Sequence, residues 1–261
     1  MTDVLRNDRV HAVIDPARGA RLTSLVIDGH EVLGRASSPD IDPVIADGCF
    51  PMVPWAGRVR DGRLELDGRT YQLPPTDGDH ALHGLGHVAA WERVTEGAYE
   101  LAIGAPWPTV GIATLTYELL DDGIRIELSW DDDTEAACSI GLHPWFRRHL
   151  GSGGELVASL QLQTMVERGA DGLPTGRLVD PAVGPWDDCF RLGAAPVLTW
   201  PGALELRLES SAGWWVVYDE PAETVCVEPQ TAPPDAFGHP TLQPDGPWPH
   251  GVWLEVRGRS L

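Results

Sequence analysis

Apolar and polar residues alternate with a period of two at Ile112–Leu119, Ile124–Trp130 (IRIELSW), Leu204–Leu208 (LELRL) and Val252–Val256 (VWLEV). Successive side chains of a strand point to opposite faces, so this alternation predicts strands with one buried face. Thr224–Val227 is almost wholly apolar and predicts a further strand. Asp-Gly pairs begin at Asp28, Asp47, Asp61, Asp67, Asp77, Asp122, Asp171 and Asp245, and this pair favours the positive φ angles of tight hairpins. With 29 glycines and 23 prolines along the chain, an amphipathic stripe longer than about two helical turns is hard to find. The expected fold is all-β, a large antiparallel sandwich with little helix. No repeat or compositional break divides the 261 residues, so a single domain over 1–261 is expected.

Charge and composition then remove whole classes of function. Acidic residues outnumber basic ones by 39 to 19, so the surface repels phosphate backbones and anionic headgroups, and neither nucleic acid nor a membrane is an expected partner. All 19 basic residues are arginine. Without a lysine there is no Schiff base, no pyridoxal phosphate anchor and no Walker-type phosphate loop. Cys49, Cys138, Cys189 and Cys226 form no CxxC pair and read as buried free thiols. The N-terminus carries Asp3, Arg6, Asp8 and Arg9, and no stretch approaches the roughly 20 apolar residues of a membrane span. A cytoplasmic protein, monomeric or homodimeric, is expected.

Two turn-rich regions, Phe50–Gly84 and Val227–Gly246, concentrate residue types that bind or catalyse. Pro51–Gly62 holds Arg58, whose guanidinium offers a planar fork of donors, in a stretch too proline-rich for a central strand. HALHG places His80 and His83 three apart; HExxH is missing and no neighbouring carboxylate completes a typical ligand set, which argues against a metal pair. Ser139–Phe146 delivers His143 just before a proline, at an expected strand end. Thr224–Val227 runs into Glu228 and Pro229, which puts a carboxylate at the last expected strand position, where a charge needs a partner or a function. Each of these five residues also has an ordinary structural reading, as a surface arginine, a loop or core histidine, or a solvated glutamate. GxSxG and GxGxxG are both absent, so neither a serine nucleophile elbow nor a dinucleotide cofactor is indicated, and no cofactor is expected. Proton transfer by a glutamate and a histidine is the chemistry left.

Taken in order, GRVRDG, HALHG, GLHPWF, WDDCF and CVEPQTAPPDA resemble the aldose 1-epimerase, or galactose mutarotase-like, family from about Pro51 onward. The resemblance implies a two-layer β-supersandwich and a small sugar as substrate. It also implies Glu228 as catalytic base, His143 as catalytic acid, and Arg58, His83 and Asp187 as substrate-binding residues. Asp188 is the alternative to Asp187, and His80 has no counterpart. Gly57-Arg58 departs from the Asn-Arg pair common in the family. In this reading Glu228 is ionised, His143 is protonated, and a tryptophan stacks on the sugar. Three alternatives accompany it: a hexose 6-phosphate epimerase, with Arg60, Arg147 and Arg148 as phosphate ligands, a non-catalytic carbohydrate-binding protein, and a metal-dependent sugar isomerase.

Overall fold

A computed structural model describes residues 2–66, 68–134 and 136–261. Two large sheets face each other. The first runs, edge to edge, through Asp3–Arg6, Val10–Asp15, Arg21–Ile27, Cys49–Met52, Gly141–Arg147, Thr224–Gln230, Trp214–Tyr218, Asp187–Leu192, Leu162–Arg168 and Pro174–Val179, with His30–Glu31 attached to Arg21–Ile27. The second runs through Glu92–Thr95, Ala98–Ile103, Gly111–Leu120, Gly123–Asp132, Gly251–Ser260, Leu204–Ser210, Val197–Trp200 and Val157–Ser159. Pairing in both sheets is antiparallel. Helical structure among the described residues is limited to short 3-10 turns, and no helix there is long and apolar enough to cross a membrane.

The strands read from alternation are present, each with one face inward. Leu115, Ile126, Leu206 and Leu254 of the second sheet join Val10, Leu25, Phe146 and Val227 of the first in one buried cluster. Each such aliphatic side chain removed from water contributes about 1.5–3 kcal/mol. Of the Asp-Gly turns, Asp28-Gly29 and Asp61-Gly62 place both residues at positive φ, while Gly123 and Gly246 are not in that region. Asp67 lies outside the described residues.

The centre of the first sheet differs from the sequence expectation. Pro51 sits within the Cys49–Met52 strand, flanked by Arg21–Ile27 and Gly141–Arg147. The Gly141–Arg147 strand continues past Pro144, and the Thr224–Gln230 strand continues past Glu228 and Pro229 to Gln230. Prolines end a strand where a ladder N–H is required. Here pairing between these two strands is interrupted: it is formed at Gly141↔Gln230 and resumes at Trp145↔Cys226. Each intervening stretch contains one proline, so the missing donors fall where the ladder is open. His143 and Glu228 are therefore mid-strand residues, not strand-end ones.

Candidate active site

Register assembles the site. His143 pairs with Phe50 on one side, and counting from Gly141↔Gln230 it stands opposite Glu228 on the other. Glu228 pairs with Val216, and Val216 with Cys189. Phe50, His143, Glu228, Val216 and Cys189 thus form one cross-strand row on the face of the sheet turned away from the sandwich core. A parallel row holds Trp145, Cys226, Tyr218 and Asp187. His143 Nε2 lies 3.3 Å from Glu228 Oε1, and both side chains are almost wholly buried. The Phe50 ring stacks on the imidazole at 4.4 Å, and the Arg21 guanidinium lies 4.7 Å from the centre of Phe50 on its way to Asp47.

Loops wall this floor into a cleft of about 560 Å³, within the roughly 300–1,000 Å³ of small-molecule sites. The Arg58–Val59 strand pairs with Ala81–Leu82, which brings GRVRDG and HALHG together. His83, at φ 58, accepts a hydrogen bond from the Gly57 N–H through Nδ1 at 3.3 Å, which leaves its own N–H at Nε2. Gly57 has φ 68, and a Cβ there would lie 2.7 Å from the Pro234 ring, so this close approach favours glycine. Arg58 bonds Asp77 Oδ2 at 2.5 Å and reaches Asp187 at 3.5 Å. Arg168 bridges Asp187 at 3.4 Å and Asp188 at 3.1 Å. Gln230 donates to Glu228 Oε2 at 3.4 Å.

Burial sets the electrostatics of the floor. It holds His143 down to about 3, assisted by the charge of Arg21, and holds His87 down to about 4. It raises Glu228 well above its ordinary value, assisted by the charge of Asp187. Burial thus favours the uncharged form of each partner. The direction differs from the ionised glutamate and imidazolium of the sequence reading, because burial disfavours the charged form of each group.

The sequence profile of the aldose 1-epimerase family matches residues 3–195. The chain belongs to that family. Among curated relatives, the uncharacterized protein YihR of Escherichia coli K12 is 24% identical over 92% of this chain and 88% of its own length. The uncharacterized protein YphB of the same organism is 33% identical over a shorter stretch, 38% of this chain and 36% of that protein. A galactose mutarotase-like protein of Clostridium acetobutylicum has the same fold, with TM-score 0.81 at 16% identity, covering 99% of this chain and 95% of that one. Galactose 1-epimerase of Lactobacillus acidophilus does too, with TM-score 0.77 at 17% identity, covering 98% and 93%.

In this family member, the five residues singled out from the sequence, Arg58, His83, His143, Asp187 and Glu228, all line the one cleft. Asp188 lines it as well, but it is Asp187 that reaches Arg58. His80 does not line it; its Nδ1 accepts from the Asp61 N–H at 3.1 Å, a turn-stabilising role. The three arginines considered for a phosphate are also elsewhere. Arg60 pairs with Asp171 and Asp235, Arg147 donates to the Leu33 carbonyl, and Arg148 to that of Pro221. Trp145 alone of the tryptophans lines the cleft, and its Nε1 is committed to the Ile45 carbonyl at 2.7 Å. Sequence reasoning missed Asp77, Arg168, His87 and Gln230 as lining residues. Gln230 stood inside the quoted EPQ segment, two positions from Glu228 and hence on its face; Asp77 and Arg168 carry no comparable signal.

Proposed function

We propose that the protein is an aldose 1-epimerase that interconverts the α and β anomers of an unphosphorylated hexose. The observation that carries this reading is the His143–Glu228 pair, 3.3 Å apart on the floor of a sugar-sized cleft. Anomer exchange needs one proton acceptor and one donor converging on two oxygens bonded to the same carbon, C1. Ring opening moves the O1 proton to the Glu228 carboxylate and the His143 Nε2 proton to the ring oxygen, as the bond from C1 to the ring oxygen breaks and C1–O1 becomes a carbonyl. Rotation about C1–C2 and the reverse transfers close the other anomer. The pair holds one proton throughout and passes between two tautomers of equal overall charge. Burial favours the carboxyl–imidazole tautomer, the one present in the open-chain intermediate. A sugar hydroxyl bound to Glu228 supplies the hydrogen bond that favours its charged form. Arg58, His83 and Asp187 orient the remaining hydroxyls.

An unphosphorylated substrate fits the wall charges. Seven carboxylates besides Glu228 line the cleft against Arg58 and Arg168, and both arginines are already paired with carboxylates. The reading is tested by polarimetry or exchange NMR on fresh α-glucose and α-galactose, with glucose 6-phosphate alongside. Acceleration of the free hexoses over buffer is expected; none on any aldose would refute it.

The pH profile follows from the same burial. The kcat/KM of the free enzyme reports the singly protonated pair, a state that spans from about 3 for His143 to the raised value of Glu228. Activity is therefore expected to show no loss around the ordinary imidazole value of 6.5. Because the Asp187 charge raises Glu228, Asp187→Asn is expected to move the alkaline limb to lower pH, together with a higher KM. An unchanged limb would remove Asp187 from the electrostatics of the pair.

A further inference from the structure

Cys226 takes no part in the proton transfers, yet it shares a strand face with Glu228, two positions away. A ring nitrogen of His143, the Cys226 sulfur and a Glu228 carboxylate oxygen all lie within 4.8 Å of one another, and all three residues are buried. One nitrogen, one sulfur and one oxygen donor make a set suited to borderline cations of the zinc type rather than to magnesium or calcium, which prefer oxygen alone. Around a tetrahedral zinc, with bonds of about 2.0–2.3 Å, ligand atoms stand roughly 3.3–3.8 Å apart. His143 and Glu228 already meet that spacing at 3.3 Å, so a small inward shift of the cysteine side chain completes it. Because His143 and Glu228 line the cleft, the cluster borders the space through which an ion would enter. The excess of carboxylates on the walls concentrates cations there.

We propose that His143, Cys226 and Glu228 form an inhibitory site for a borderline divalent cation such as Zn²⁺, which enters through the cleft and binds in competition with the sugar. Coordination takes lone pairs from the imidazole, the thiolate and the carboxylate. The thiol proton and the proton held by the histidine–glutamate pair pass to buffer, and nothing is oxidised. With the ion in place, neither proton acceptor nor donor is left for O1 and the ring oxygen.

The full chain titrated with Co²⁺ in the absence of sugar is expected to show a thiolate-to-cobalt charge-transfer band that saturates at one ion per chain and is displaced by Zn²⁺. Zn²⁺ is expected to inhibit anomer exchange, EDTA to restore it, and Mg²⁺ at the same concentration to have no effect. Cys226→Ala should keep its activity, lose the band, and bind Zn²⁺ by calorimetry at least roughly 10–100-fold more weakly, since removing a ligand costs no less than removing an outer-shell partner. His143→Phe provides a second variant for the spectroscopic arm and should also lose the band. No band in the wild type, or equal Zn²⁺ affinity in Cys226→Ala, would overturn the site. Binding is read without sugar, so the site and the proposed epimerase activity stand or fall separately.

Discussion

Replacing Glu228 by glutamine is expected to lower kcat for anomer exchange by roughly 10²–10⁴-fold while the fold persists. The amide has the shape of the carboxyl and keeps a hydrogen-bonding partner for Gln230 and for His143 Nε2, but it cannot accept the O1 proton. Substrate contacts through Arg58, His83 and Asp187 remain, so the loss should fall on kcat far more than on KM. Stability should move the other way. Burial raises Glu228 above its ordinary 4.5, so its contribution is fully present below that value and is lost as pH rises toward the raised one. Glutamine does not titrate. The variant's melting temperature should therefore exceed that of the wild type by a margin that grows from pH 4.5 upward. Polarimetry and calorimetry across pH test both halves; a wild-type rate in this variant would dismiss Glu228 as the base.

The second large effect is on the scaffold beside His83. Gly84 has φ 77, and a Cβ there would stand 2.1 Å from the Val53 carbonyl oxygen. That oxygen is held by the N–H groups of Leu85 at 2.8 Å and Gly86 at 3.1 Å, so it has little freedom to retreat. Gly84→Ala is expected to destabilise by roughly 2–4 kcal/mol, adding a backbone clash to left-handed strain. Gly29→Ala is the control: φ is 82 but nothing lies within 4 Å, so only the strain of about 1–2 kcal/mol applies. Denaturant midpoints of the two variants measure the difference, and equal midpoints would show that Val53 yields. Because His83 adjoins Gly84, a rise in KM should accompany the loss of stability.

The strands of the second sheet were legible because one face of each meets the sandwich core and the other meets water: Ile126 and Leu128 are buried, while Glu127 between them is exposed. The central strands of the first sheet lack that contrast. Thr224–Gln230 is buried at every position, and Gly141–Arg147 at all but its last, because loops cover the face opposite the core. Their prolines then read as terminators. In the cleft, Arg58, His83, His143, Asp187 and Glu228 were accessible through local segments and their order. Asp77 and Arg168 were not, since a single charged residue in a turn or on a strand carries no pattern. The protonation of the pair was illegible for a different reason: it depends on how completely loops distant in sequence exclude water, and a reference pKa contains none of that.

Pro144 and Pro229 have a consequence for how the chain assembles. The strands that carry His143 and Glu228 lie far apart in sequence, so they must find each other late, across a long loop, and choose one alignment among several. A slip of one residue would turn His143 or Glu228 toward the sandwich core. The same slip would carry a residue that cannot donate into a place where the neighbouring strand expects an N–H. Misaligned pairings are thus penalised twice, once by a buried polar side chain and once by an unanswered carbonyl. The two imino acids act as a proofreading mark, confining the site-bearing strands to the alignment in which acid and base meet.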